Sequence, residues 1–322
     1  MKSQTSSPRV AFAGGNVFAE PIFAELVEKF DNLTLISKED KQKGRSSKSD
    51  KSAIKILAES QDIPIFEPKN KLELEKTISN IKPDLVVVAS LGIIISENTL
   101  KIPKYGFLNV HFSLLPLHRG PSPVQSTILN GDKKTGITIQ KVVPEIDAGD
   151  IVYKYEIDLR GDETTKTLGK TLADIAAYEL PSVIHDCLNE EIKPEKQDSS
   201  RATFTKIIQK SDGKIDWSEQ AEVIERKVRA YTPWPSAYTF WDGKMLKILE
   251  AEVLDNNSSQ KVGTFHKIDS GSGSGMTKEV KYGIQAGKGI LVINKLQLEG
   301  KKPLLVSDFL LGNSKIVGEI LG

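Results

Sequence analysis

The sequence predicts an α/β fold with a mostly parallel sheet, followed by a smaller β-rich domain, and three observations predict it. From residue 9 onward short apolar runs alternate with helical patterns, the arrangement that builds right-handed crossover units. One of those runs, "DLVVVAS", is continuously β-branched, as a strand covered on both faces requires. Beyond residue 208 the pattern changes to short strands separated by Gly-containing turns, which suggests a small barrel or compact sheet.

Taken in order, "RVAFAG", "LTLIS", "IPIFEP" and "DLVVVAS" read as strands, and "FAEPIFAELVEKF", "SAIKILAES" and "KLELEKTISNI" as the helices between them. The next strand is "GFLNVHFS". Leu108, Val110 and Phe112 lie on one of its faces, while Asn109, His111 and Ser113 lie on the other. Its position after "DLVVVAS" places it near the middle of the sheet, and ligands in such sheets collect beyond the carboxyl ends of the strands. There follow a helix at "PVQSTILNG", strands at "TGITIQKVV" and "DIVYKYEIDL", and a helical pattern over 164–189 that Pro181 is expected to kink or restart. Residues 190–208 lose periodicity and read as a linker. After it, "KIDWSEQAEVIERKVRAY" reads as one amphipathic helix. "TPWPSA" is a turn, and "AYTFWD", "KMLKILEAEVL", "KVGTFHKI", "YGIQAG" and "GILVINKLQLEG" are short strands. "DSGSGSGMTK" reads as a hairpin tip with no chemistry of its own. The expected division is 1–189, a linker at 190–208, and 209–322.

The 322 residues exceed the usual size of one core, in keeping with two domains. A single cysteine, Cys187, permits no internal disulfide and favours a reducing compartment. No apolar run reaches the length of a signal peptide core or of a membrane span, so the expectation is a cytoplasmic protein. With a formal net charge of +1, affinity for nucleic acid has to come from local clusters of charge. The sequence has no Walker A motif, no Cys/His cluster for zinc and no G-x-S-x-G elbow. "AFAGGNVFAE" lacks the full G-x-G-x-x-G of a dinucleotide site.

Three unpaired polar groups on one strand face would cost about 1 to 3 kcal/mol each, so they call for a hydrogen-bonded network or a ligand. An Asn amide beside an imidazole can hold an oxygen that becomes negative and can move a proton, which suits acyl-type transfer. An orienting carboxylate is available from "PEIDAGDI", where spacing leaves both Asp147 and Asp150 open. The second candidate is the run from Lys38 to Lys55, with seven basic residues against three acids. It leaves the carboxyl end of the second strand, on the rim that carries His111, where a phosphate-bearing polymer would need it.

"NVHFSLLPLHRGPSP", followed by "TGITI" and "IDAGDI", resembles the core of the 10-formyltetrahydrofolate-dependent formyltransferases. Outside that core, "VAFAGGNVFAEPIF", "KIDWS", "RAYTPWPSAY" and "LQLEGKKPLLVSDFL" extend the resemblance over nearly the whole chain, to the members that act on methionyl-tRNA. The resemblance implies a Rossmann-like formyltransferase domain and a carboxyl-terminal OB-like β-barrel domain that contacts tRNA. It implies the catalytic trio Asn109, His111 and Asp147, and so chooses Asp147 over Asp150. It also implies that Ser113, Leu114, Leu115 and Pro116, with Gly92, Ile93 and Ile94, hold the folate, and that Lys41, Lys43, Arg45 and Lys48 reach the tRNA. The implied co-substrate is 10-formyltetrahydrofolate and the implied partner is initiator methionyl-tRNA, in support of translation initiation. The expected enzyme is monomeric and uses no metal. The chain departs from the family pattern at Gly15 and Asn16, at Leu91 and at Phe112. A family member that formylates an amino sugar nucleotide would carry the same trio but have no use for the basic loop.

Overall fold

The structure is a computed structural model and describes residues 7–40, 51–256, 258–268 and 280–322. The chain forms two compact units. The first comprises 1–123, 134–158 and 169–205, and the second 124–133, 159–168 and 206–322.

In chain order the first elements are β1 (Val10–Gly14), α1 (Glu20–Lys29), β2 (Leu33–Ile36), α2 (Ala53–Ser60), β3 (Ile65–Phe66), α3 (Lys71–Ile81), β4 (Leu85–Ala89), α4 (Glu97–Leu100) and β5 (Phe107–His111). They are followed by α5 (Pro123–Asn130), β6 (Lys134–Lys141), β7 (Ile151–Asp158) and α6 (Thr165–Leu188). The first unit holds a seven-stranded sheet in the order β3-β2-β1-β4-β5-β6-β7. Pairing is parallel from β3 to β5 and antiparallel through β6 and β7. The strand order reverses between β1 and β4, and the carboxyl end of β5 emerges one strand further on, where ligand crevices form in open sheets.

Local chemistry explains why the helices start and stop where they do. The Asn16 carboxamide oxygen accepts the N–H groups of Phe18 and Ala19 at 3.0 and 2.9 Å, and Pro21 lies in the first turn of α1. Ile22, Phe23 and Leu26 then turn one face of α1 into the core. Asn70 caps α3 by accepting from Leu72 and Glu73, and Lys82 ends it at φ +45°. Helix α6 continues through Pro181 without restarting. The ring removes one backbone hydrogen bond, but Leu180, Val183 and Ile184 are buried around it, so packing holds the helix across the gap.

The segment read as a linker lies along the first unit as far as residue 205. Ile151 and Glu195 exchange backbone hydrogen bonds at 2.7 and 2.8 Å. Arg119 N–H donates to the Thr203 carbonyl at 2.9 Å and the Arg119 carbonyl accepts from Thr205 at 2.8 Å.

The second unit contains α7 (Ala221–Tyr231), β8 (Ala237–Trp241), β9 (Lys244–Leu254), β10 (Phe265–Ile268), β11 (Lys281–Gln285), β12 (Ile290–Leu298), β13 (Leu304–Leu305) and α8 (Val306–Asn313). Its sheet runs β10-β11-β12-β9-β8, with β13 on β12, and every pairing is antiparallel. Helix α7 starts later than its periodicity predicts. Asp216 holds a turn by accepting from Ser218 N–H at 2.9 Å, and Trp217 enters the core and donates to Thr239 Oγ1 at 3.1 Å. Ala221, Ile224 and Val228 carry the buried face of α7. The predicted hairpin tip, residues 269–278, falls wholly outside the described residues. Among the described residues, no helix is long and apolar enough to cross a membrane.

Candidate active site

Strand β5 brings the polar pair to the middle of the sheet. Asn109 sits opposite Gln140 of β6, and His111 opposite Thr138. Because side chains alternate across a strand, all four lie on one face, while Leu108, Val110 and Ile139 fill the other with apolar bulk.

The β6–β7 connection supplies the carboxylate. Its return is tight: a Cβ on Gly149 would lie 1.7 Å from the Lys141 carbonyl oxygen, so that turn admits only glycine. Asp147 sits at φ +49°, a left-handed conformation that aspartate tolerates better than most residues. Its Oδ1 accepts from Asn109 Nδ2 at 3.1 Å and from Gln140 Nε2 at 2.8 Å. Its Oδ2 accepts the Gly120 N–H at 2.8 Å and lies 3.6 Å from His111 Nδ1. Asp150, the other aspartate of "IDAGDI", meets β6 through its backbone carbonyl, which accepts from Lys141 at 2.9 Å.

His111 is 5% exposed. Its Nε2 lies 3.0 Å from the His118 carbonyl oxygen, and a carbonyl demands a donor, so Nε2 carries a proton. That leaves Nδ1 as the atom facing Asp147. Burial holds the imidazole below its ordinary pKa, with the Asp147 charge pulling the other way.

The trio converges beside a cavity of ≈ 230 Å³ lined by Val88, Ile93, Ile94, Ile95, Asn109, Gln140, Asp147 and the residues around Val142. Of the residues expected to hold a folate, Ile93 and Ile94 line this cavity. Gly92 lines a neighbouring crevice with Gly14, Asn16 and Ser37. Ser113 and Leu115 are fully buried and serve the loop itself. Ser113 Oγ donates to the Leu117 carbonyl at 2.6 Å. Thr138 Oγ1 donates to the Ser113 carbonyl at 2.7 Å and accepts from Leu115 N–H at 3.1 Å. Leu114 packs toward Gly136, and Leu114 and Pro116 are half-buried. Leu91 and Phe112 are both buried, and the Phe112 ring meets Phe18 edge-on at 6.1 Å. Lys41, Lys43, Arg45 and Lys48 lie outside the described residues. Among the described residues, no group of three or more His, Cys, Asp or Glu is placed to hold a metal.

Four residues that sequence reasoning passed over complete the network. Thr138 and Gln140 alternate with Ile137 and Ile139, so the periodicity that exposed Asn109 and His111 was present for them too. Arg119 and Gln197 left no such signal. Gln197 Nε2 donates toward the Asp147 carbonyl, the Gly149 carbonyl and Gln140 Oε1 at 2.9, 2.7 and 3.1 Å. Its Oε1 accepts from Arg119 Nε and Nη2 at 3.1 and 2.8 Å.

Comparison with known proteins agrees with this architecture. Residues 9–184 match the formyl transferase family, and residues 207–314 match the formyl transferase C-terminal domain. A methionyl-tRNA formyltransferase from Citrifermentans bemidjiense is 36% identical over 324 residues, covering 98% of this chain and 96% of that protein. Among solved structures, a methionyl-tRNA formyltransferase from Clostridium thermocellum superposes with a TM-score of 0.55 at 20% identity, over 76% of this chain and 93% of that one. WlaRD, a sugar 3N-formyl transferase determined in the presence of dTDP and 5-N-formyl-THF, superposes at 0.65 and 19% identity, over 92% of this chain and all of that one. With a family match over more than half its length and a relative similar from end to end, the chain belongs to the formyl transferase family and groups with its methionyl-tRNA formyltransferase members.

Proposed function

We propose that this enzyme transfers the formyl group of 10-formyltetrahydrofolate to the α-amino group of methionyl initiator tRNA. The observation that carries the reading is the meeting of Asn109, His111 and Asp147 beside an apolar cavity at the carboxyl end of the central strands. A folate fits the residues present. The apolar walls from Val88, Ile93, Ile95 and Val142 suit a flat ring system, and Asn109, Gln140 and Asp147 supply polar edges. Ile93 and Ile94, with the backbone near Gly92, would hold it.

In the reaction a bond forms between the methionyl nitrogen and the formyl carbon, and the bond from that carbon to N10 of the folate breaks. Asn109 uses one amide hydrogen on Asp147 and has a second to donate to the formyl oxygen as negative charge develops there. Asp147 faces His111 Nδ1, so the pair takes up the proton that the attacking amine loses, and N10 regains one. Three donors fix the carboxylate before substrate arrives, which spares the transition state that reorganisation. Lys41, Lys43, Arg45 and Lys48 supply cations for the tRNA phosphates.

The test is incubation with 10-formyltetrahydrofolate and either methionyl-tRNA or a dTDP-linked amino sugar. Formyl-methionyl-tRNA is the expected product. Formylation of the sugar alone would replace this reading with the sugar-nucleotide one, and no transfer to either acceptor would end it.

A further inference from the structure

We infer that Gln197 is a positioning residue for the formyl-transfer site, acting through Asp147 from the segment that follows α6. The inference rests on the formyl-transfer reading for its catalytic consequence but not for its geometry. The Asp147 loop departs from β6, holds a left-handed residue at its catalytic position and has to present one carboxylate to Asn109, Gln140, Gly120 and His111 together. A single amide nitrogen, with two hydrogens, lies within hydrogen-bonding distance of the Asp147 carbonyl, the Gly149 carbonyl and Gln140 Oε1. Gln197 therefore grips the backbone on either side of Ala148. It also turns Gln140 so that its amide points at the Asp147 carboxylate.

The orientation of Gln197 is itself imposed. Arg119 is buried, and its fork donates twice to Gln197 Oε1, so the oxygen cannot exchange places with the nitrogen. Arg119 is tied to the same segment by Ser199 Oγ at 3.3 Å and by the backbone pairing with Thr203 and Thr205. A polar relay thus runs from Arg119 through Gln197 to the carboxylate that faces His111. Displacing a catalytic group by about 1 Å lowers turnover by about 100-fold.

Two variants separate positioning from mere stability. Gln197→Glu keeps the acceptor that Arg119 needs and removes both donors, so the fold retains its anchor while the Asp147 loop loses its grip. Gln197→Met keeps the length of the side chain without charge. In Gln197→Glu we expect kcat for methionyl-tRNA formylation to fall about 10- to 100-fold, with KM for tRNA within about twofold and a smaller fall in thermal midpoint than in Gln197→Met, which also loses the acceptor for Arg119. In Gln197→Met, the His111 imidazole, followed by NMR among only four histidines, is expected to titrate at lower pH than in wild type. The groups facing His111 are Asp147 and His118, and a displaced carboxylate would no longer favour the imidazolium. Wild-type kcat in Gln197→Glu together with an unmoved His111 titration in Gln197→Met would overturn the proposal. So would losses of activity in both variants that merely track equal falls in thermal midpoint. A wild-type enzyme inactive on methionyl-tRNA, with the His111 titration still displaced in Gln197→Met, would sink the substrate assignment and leave the positioning role standing.

Discussion

Replacing Asp147 by Asn keeps the shape of the side chain and removes its charge, and the surrounding donors set the size of the effect. The carboxylate accepts two amide hydrogens on Oδ1 and one backbone hydrogen on Oδ2. An asparagine placed with its nitrogen at Oδ1 would confront Asn109 and Gln140, leaving two donors orphaned. The cheaper orientation puts the nitrogen at Oδ2, where it confronts only Gly120 N–H. One orphaned buried donor costs about 1 to 3 kcal/mol, and the two bonds that survive lose the strength a charged acceptor gave them. A loss of stability of about 2 kcal/mol follows from these terms. The effect on rate is larger, because the charge that helps carry the amine proton is gone. Loss of one preorganised electrostatic group costs about 2.7 to 4 kcal/mol of transition-state stabilisation, or about 100- to 1,000-fold in kcat. Initial rates of formyl-methionyl-tRNA formation at saturating substrates, set beside thermal unfolding of the same preparation, measure both. A variant with kcat within about threefold of wild type would refute the role given to Asp147 and to the network around it.

Three further outcomes are expected. His111 has a folded-state pKa below its ordinary 6.5, so the unfolded chain binds the extra proton first, and stability falls as pH drops from about 6.5 toward the folded value. His111→Asn should flatten that acid limb in pH-dependent unfolding while abolishing transfer, and an unchanged slope would show that burial does not hold His111 neutral. Thr138→Val removes one hydroxyl that serves both the Ser113 carbonyl and Leu115 N–H. At about 1 to 3 kcal/mol for each orphaned group, and about 2 to 4 °C per kcal/mol, the thermal midpoint of the first unit should fall by several degrees, as calorimetry would show. Neutralising Lys43, Arg45 and Lys48 together should weaken tRNA binding and lower the slope of log K against log salt by about 2, at about 0.7 per phosphate contact on single-stranded RNA. A slope equal to that of wild type would remove the loop from the interface.

How much of this was legible beforehand follows the range of the interactions. The parallel sheet was visible because each strand and helix advertises its own burial through local periodicity. The same period of two marked Asn109 and His111, and it would have marked Thr138 and Gln140 had the strand "TGITIQKVV" been read for its polar face. The late start of α7 was hidden because Asp216 and Trp217 fit a helical pattern, yet one caps a turn and the other finds Thr239 across the unit. Pro181 looked like a helix breaker because sequence shows the missing N–H but not the buried Leu180 and Ile184 that hold the helix across the gap.

Gln197 belongs to a different class. Its acceptors on Asp147 and Gly149 lie 50 and 48 residues away in sequence, and its donors on Arg119 lie 78 residues away. Two of those acceptors are backbone carbonyls, which any residue at those positions would provide. A side chain that recognises main chain therefore leaves no pattern in the residues it holds, and its own neighbourhood, "KPEKQDSS", shows the lost periodicity and polar composition of a linker. Such a segment would be free to vary if it only joined two domains. At Gln197 it meets the loop that holds a left-handed residue and a carboxylate accepting three hydrogen bonds. The strand can supply the imidazole and the carboxamide by alternation alone, whereas the carboxylate comes from a loop and has to be held by something outside it.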